Sequence, residues 1–361
     1  MRKFTAVLTS IVLILFVFAG CFKSIEISAE QTSQPRSVIL MISDGTGISH
    51  ITALRYNENN FQFPRFPVVG LLTSHSADRL ITDSAASATA YSIGEKTNNG
   101  MIAMLPDGTK PRTVLELAES AGKATGLVAT SQLTHATPAA FAAHVEDRDN
   151  QMEIACQMAA REIEVLLGGG QQFFLTNDEA GNLVTGMESQ GYAYIDTRSS
   201  LEELNTVDAE RVIGLFAESG MRPALEGRMP LGLMAQKAVE ILDNDPDGFF
   251  MMIEASQVDW EAHDNNADGV LAEMNDMQGA LRWILDYQQN HPDVLVVWVP
   301  DHETGGMAVE SENDQMMLDF TSGGHTAQML PAFAVGPQSD RFGGVYDNTD
   351  IGKILLSMFG G

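Results

Sequence analysis

Basic residues are scarce in this chain: 21 Lys and Arg stand against 48 Asp and Glu, a formal net charge of −27 over 361 residues. A field of that sign excludes a module that wraps nucleic acid, because the phosphates would be repelled. It leaves small anionic ligands open, since a few cations at one site overrule the global charge. Cysteine is almost missing; Cys21 and Cys156 are the two present, and two cannot make a disulfide framework. No internal repeat, low-complexity tract or long Pro/Gly/Ser linker divides the chain. A single large domain with a sizeable core is therefore expected.

The first segment with a readable purpose is the N-terminus. Arg2 and Lys3 precede an apolar run from Ala6 to Ala19, and Phe18-Ala-Gly-Cys21 follows at its end. A positive start, a short apolar stretch and small residues before a cleavage point describe an export signal better than a membrane span. Residues 1–20 are expected to be a lipoprotein-type signal peptide cut before Cys21, which would carry a lipid; ordinary cleavage near Ala29 is the alternative. Residues 21–36 read as a flexible tether and 37–361 as one domain. The protein is expected to be exported, either periplasmic or anchored to a membrane. Cys156 lies in an apolar helical pattern and is expected to be a buried thiol.

Fully apolar runs recur at Ser37–Ser43, Gly126–Thr130, Phe249–Ile253 and Val294–Val299. Strands of a parallel sheet covered on both faces need that composition. Helical patterns lie between them, with capping-box spacing at Thr113-Val-Leu-Glu116 and Ser200-Leu-Glu-Glu203 and helical periodicity over Leu231–Leu242 and Val270–Leu285. The fold expected is α/β: a large, mostly parallel sheet with helices on both faces.

Ligands of open α/β sheets bind at the carboxyl ends of the strands. Those ends carry Asp44, His135, Glu254, Asp259, Asp301 and His302. One acidic residue after a strand is commonly a cap, but coincidence over several strands points to a metal site. Asp259 and His263 are four apart, one helical turn, so they face the same way. Asp301-His302 offers two more ligands, and His325 adds an imidazole in a glycine-rich loop. Mixed His/Asp ligation suits zinc, whereas Glu254 and a threonine hydroxyl suit magnesium. The stretch Thr82-Asp-Ser-Ala-Ala-Ser-Ala-Thr-Ala90 reads two ways: as a capped, alanine-rich helix packed closely, or as a helix whose first turn presents a nucleophilic serine to an anion. Thr137-Pro138 has the pattern of a helix start, with Thr137 as N-cap.

Six blocks identify a resemblance: Asp44-Gly-Thr-Gly47, Thr82–Ala90, His135-Ala-Thr-Pro-Ala-Ala140 through Arg148, Glu254…Asp259…His263, Asp301-His-Glu-Thr-Gly-Gly306 and Gly324-His-Thr326. In order and short spacing they resemble bacterial alkaline phosphatases over essentially the whole chain after Ser37. The resemblance implies hydrolysis of small phosphate monoesters through a phosphoserine on Ser84. Asp259, His263 and His325 would hold one zinc ion, and Asp44, Asp301 and His302 a second. Asp44, Thr137 and Glu254 would hold a magnesium ion, with Ser84 also facing the metals. Arg148 would bind the phosphate, steadied by Asp83. His135 and Trp260 stand where some members carry aspartate and lysine, beside the third metal and the phosphate. The short interval between His302 and His325 implies little crown at the interface of a homodimer. The competing expectations are a phosphodiesterase of the same superfamily and a phosphate-binding lipoprotein without turnover.

Overall fold

The computed structural model describes residues 34–58, 60–176 and 180–360. The expected leader, Cys21 and the tether as far as residue 33 lie outside them. Arg36, the last tether residue, is bonded to the turn at Asp243–Pro246, with Nη1 donating to Asp243 at 2.9 Å.

In chain order the strands are β1 (Ser37–Ser43), β2 (Val68–Thr73), β3 (Ala124–Gln132), β4 (Val165–Gly169), β5 (Tyr192–Ile195), β6 (Arg211–Leu215) and β7 (Phe249–Ala255). They continue as β8 (Val294–Val299), β9 (Glu303–Thr304), β10 (Met307–Glu312), β11 (Gln315–Phe320), β12 (His325–Thr326), β13 (Leu330–Val335) and β14 (Gly344–Asp347). Ten of these form one sheet in the order β14-β2-β13-β8-β1-β7-β3-β4-β6-β5. Strand β13 runs antiparallel to β2 and β8, and the other pairings are parallel. The mostly parallel α/β sheet expected from the apolar runs is thus present.

Alternation along each strand sends successive side chains to opposite faces. Val38, Leu40 and Ile42 join one apolar cluster, while Ile39 and Met41 join the other. Phe250 and Met252 part from Phe249, Met251 and Ile253 in the same way. Helices close over each face, so every position of β1 and β7 is buried; each large side chain fully removed from water contributes about 1.5–3 kcal/mol. Helices Ser84–Ile93, Ala136–Ala142 and Asn348–Met358 cover the first face; Ile48–Asn57, Leu231–Leu242 and Ala267–Asn290 cover the second.

Several local expectations shift by a turn. The helix assigned to Ser200 begins at Arg198, with Thr197 as N-cap and Ser200 closing the box three residues later. His135, not Thr137, stands at the N-cap position of Ala136–Ala142, without a side-chain capping bond, because the helix begins at Ala136; Thr137 is inside the first turn. Cys156 is half-buried, not buried, since it lies toward the solvent side of Gln151–Ala159. The interval between His302 and His325, where little crown was expected, holds the antiparallel hairpin β10–β11 with the short β9–β12 ladder at its base.

The Ser84–Ile93 helix is buried along its whole length. Its small residues let the C-terminal helix come close: a Cβ on Gly352 would lie 2.3 Å from the Ala90 carbonyl oxygen and 2.6 Å from Gly94 N. Gly352→Ala is accordingly expected to destabilise by about 1–3 kcal/mol, as overpacking does. A lowered midpoint in urea unfolding, with a smaller loss for the exposed Gly360→Ala, would bear this out.

Candidate active site and metal centre

Asp83 ends the loop before the Ser84–Ile93 helix, and its Oδ1 accepts from Ala86 N at 2.9 Å as an N-cap. Ser84 is the first helical residue, 3% exposed, and its Oγ lies 3.2 Å from His302 Nε2. The helix ends at Gly94, whose φ of 72° is the left-handed conformation that suits glycine. On the other side Asp83 Oδ2 accepts from Arg148 Nη1 at 3.0 Å, and Arg148 Nη2 lies 3.2 Å from His135 Nε2.

The metal-type residues come from four neighbouring strand ends. Asp44 follows β1, Glu254 lies near the end of β7, Asp301 and His302 follow β8, and His135 follows β3. Gly45 lets the β1 loop approach the helix Gln257–His263: its φ is 75°, and a Cβ there would lie 2.5 Å from Asp259 Cα. Gly45 N donates to Asp301 Oδ1 at 3.1 Å, tying β1 and β8 together beneath the site. The β9–β12 ladder pairs His325 with Thr304 and so carries the last imidazole in from the far loop.

Three overlapping groups result: Asp259 with His302 and His325, Asp44 with Asp301 and His302, and Asp44 with His135 and Glu254. Within each, one ligand atom per residue lies within 4.8 Å of the others. His263 adjoins the first group, its Nε2 3.4 Å from Asp259 Oδ1 and 3.2 Å from His325 Nε2. Thr137 is buried, and its hydroxyl has no hydrogen-bond partner among the described residues. Trp260 does not enter a ligand group. Its ring meets that of His135 edge-on at 5.9 Å between centroids and backs onto Gly220.

These atoms fit divalent cations on several counts. His263 Nδ1 is 2.8 Å from the Gly323 carbonyl and His325 Nδ1 is 3.0 Å from that of Thr82. A carbonyl only accepts, so each Nδ1 carries its proton and each Nε2 is left as the ligating atom. Without a cation the two facing Nε2 atoms must share a proton, and the Asp259 hydrogen bond raises His263 to about 9. Burial would raise Asp259, but His263, His302 and His325 outweigh it and hold that carboxyl well below the usual range. Burial pushes Asp44 well up, and the charges of Asp301, Asp259 and Glu254 push it further. Burial followed by Asp259 raises Asp301 to about 7. His302 is pushed well down by burial and by His325. Both oxygens of Asp44, Asp301 Oδ2, Glu254 Oε1 and His135 Nδ1 are buried without hydrogen-bond partners among the described residues. Leaving such groups unpaired costs several kcal/mol each, and coordination removes that cost.

Residues 35–319 match the family model described as Alkaline phosphatase. The chain belongs to the alkaline phosphatase family. Alkaline phosphatase 3 of Bacillus subtilis (strain 168) is 33% identical, covering 88% of this chain and 87% of its own. The structure of alkaline phosphatase from the Antarctic bacterium TAB5 superposes with a TM-score of 0.86 at 33% identity, over 91% of this chain and 99% of that one. A His-to-Asp mutant of the TAB5 enzyme, with Mg bound in the M3 site, matches at a TM-score of 0.85 and 32% identity, over 91% and 99%. The family is metal-dependent and hydrolyses phosphate monoesters, so this chain is a phosphomonoester hydrolase.

Some participants were not readable as site residues. Thr304 donates its hydroxyl proton to Asp259 and lies 3.2 Å from His302 Nδ1, so it orients both. Ser131 and Ser256 donate to Glu254 Oε2 at 2.9 and 2.7 Å. Thr304 sits inside a recognised block, but nothing in its spacing shows where the hydroxyl turns.

The raised carboxyl of Asp301 has a consequence that can be measured. A carboxyl whose folded value exceeds its unfolded one binds extra protons in the fold, so its stabilising contribution is complete below about 3.8 and lost as pH rises through about 7. In chelated protein, Asp301→Asn is therefore expected to gain stability on the wild type between those limits. With excess divalent metal the order should reverse, and thermal unfolding with and without chelator checks both halves.

Proposed function

We propose that this hydrolase transfers the phosphoryl group to Ser84 and then to water. The observation that carries the reading is the meeting of Ser84 Oγ, the Asp83–Arg148 pair and the histidine–carboxylate groups at one end of the sheet. Asp259, His263 and His325 would hold one zinc ion; Asp44, Asp301 and His302 a second; and Asp44, Thr137 and Glu254 a magnesium ion. Bound cations would supply Lewis acidity, stabilising charge on the attacking and leaving oxygens. His302 lies within the ligand range of both zinc groups, which supports two close cations.

Arg148 binds the phosphoryl oxygens with the donors that Asp83 does not occupy; its planar fork fits a phosphate better than an ammonium would. Ser84 Oγ forms a bond to phosphorus opposite the departing alcohol oxygen, which leaves with a proton. Water then attacks phosphorus from the side the alcohol left, opposite Ser84 Oγ, which takes back a proton as phosphate is released. The helix N-terminus assists as a smaller electrostatic contribution. Export through residues 1–20, a lipid anchor at Cys21 and a homodimer belong to this proposal on the strength of the leader pattern and the family resemblance.

p-Nitrophenyl phosphate is expected to turn over rapidly at alkaline pH, its bis-ester slowly, and a chelator should abolish both. Ser84→Ala should lose at least 10³-fold in kcat, as removal of a nucleophile does, and acid quenching of the wild type should trap phosphoserine. Rapid diester turnover alone would favour a phosphodiesterase, while phosphate binding without turnover would favour the non-catalytic alternative. His135 Nδ1 faces Asp44 and Glu254, so His135→Asp with Trp260→Lys is expected to strengthen magnesium dependence and phosphate inhibition together. Titration of both in the double variant checks this, and an unchanged response to either would refute it.

A further inference from the structure

We propose that Asn99 and Gly100 form a positioning strap that sets the phosphate-binding arginine against the nucleophile helix, an inference resting on the roles given above to Ser84 and Arg148. Asn99 Oδ1 accepts from Asp83 N at 3.2 Å, and its Nδ2 donates to the Ile81 carbonyl at 3.1 Å. Its own N–H donates to Asp78 Oδ1 at 2.9 Å. The loop that delivers Ser84 is thereby held by one amide group at two points of its backbone, two residues apart.

The following peptide holds the other partner. Gly100 N donates to Asp83 Oδ2 at 3.0 Å, and the Gly100 carbonyl accepts from Arg148 N at 2.8 Å. With the 3.0 Å bond from Arg148 Nη1 to the same Asp83 oxygen, these contacts close a ring through Asp83, Gly100 and Arg148. Reciprocal backbone bonds between Ile102 and Val145, at 2.9 and 3.1 Å, pin the strap just beyond the ring. Gly100 has φ +88° with nothing within 4 Å of a would-be Cβ, so the backbone angle rather than space calls for glycine.

A long arginine side chain has many rotamers, and one bond to a carboxylate does not choose among them. The ring restrains Arg148 at both its backbone and its guanidinium, while Asn99 restrains the backbone that bears Asp83. Asn99 touches neither Ser84 Oγ nor the metal ligands. It acts through Asp83 and Arg148, and so is a positioning residue.

The test uses the metal-loaded full chain, with inorganic phosphate as competitive inhibitor of p-nitrophenyl phosphate hydrolysis. Asn99→Ala is expected to lower kcat/KM about 10–100-fold, the order that a small misplacement costs, and to raise the Ki for phosphate several-fold. Added to Arg148→Ala, it should raise Ki no further, because coupled residues are non-additive. Asn182→Ala, which removes a cap from the helix Leu183–Ser189 beside edge strand β5, should lower stability without moving Ki. If Asn99→Ala does not fold, Asn99→Ser takes its place with the same expected shift. An unchanged Ki in the Asn99 variant, or effects that add to those of Arg148→Ala, would overturn the strap. An unchanged Ki in Arg148→Ala alone would instead overturn the reading of Arg148, and the strap's purpose with it.

Discussion

Four buried carboxylates, those of Asp44, Glu254, Asp259 and Asp301, are crowded at the carboxyl end of one sheet. Burial disfavours their charge and each disfavours its neighbours', as the raised values of Asp44 and Asp301 show. A protein core cannot hold that arrangement cheaply unless cations share it. The rest of the architecture can be understood as holding the carboxylates in place despite this repulsion. Gly45 N takes one oxygen of Asp301, Ser131 and Ser256 take one of Glu254, and Thr304 takes one of Asp259. In each case a second oxygen, or an imidazole nitrogen beside it, is left facing inward.

The parallel sheet makes this possible. Adjacent β8, β1, β7 and β3 run in one direction, so their carboxyl ends lie side by side and bring residues from distant parts of the chain together. The Ser84 helix is fastened to the same edge: Tyr91 donates to the Pro300 carbonyl at 2.6 Å and Ser87 to that of Asp301 at 2.7 Å. Asn348, at the start of the C-terminal helix, donates to Ser87 at 3.1 Å. A movement of that helix would therefore reach Asp301 through two hydrogen bonds. The alanines of the Ser84 helix, with Gly352 of the C-terminal helix facing them, are the condition for this close fit, more than a contribution to helix propensity.

Much of this was legible from residues. Apolar runs long enough for buried strands gave β1 and β8 their bounds, because a strand covered on both faces has no polar position to blur the pattern. The i,i+4 pair Asp259–His263 was legible because helical geometry is local. The Ser200 box was displaced because Thr197 offers an equally good cap three residues earlier, and spacing cannot choose between them. His135 was placed beside the third metal and the phosphate; its Nδ1 lies 3.9 Å from Glu254 Oε1 and its Nε2 3.2 Å from Arg148 Nη2.

By itself, then, the sequence determined the α/β class, the strand ends that carry the candidate ligands, and the family, since these depend on composition, period and short spacing. Only the tertiary structure decided which ligands share a group, which imidazole nitrogen faces inward, and that Thr304, Asn99 and Gly100 hold the site residues in place. Those facts depend on contacts between segments such as Asp83 and Gly100, or Asp259 and Thr304, whose side chains meet only after the sheet has assembled. A hydroxyl or a peptide that orients another group leaves no periodic mark in the chain. Its role lies wholly in where the fold delivers its partner.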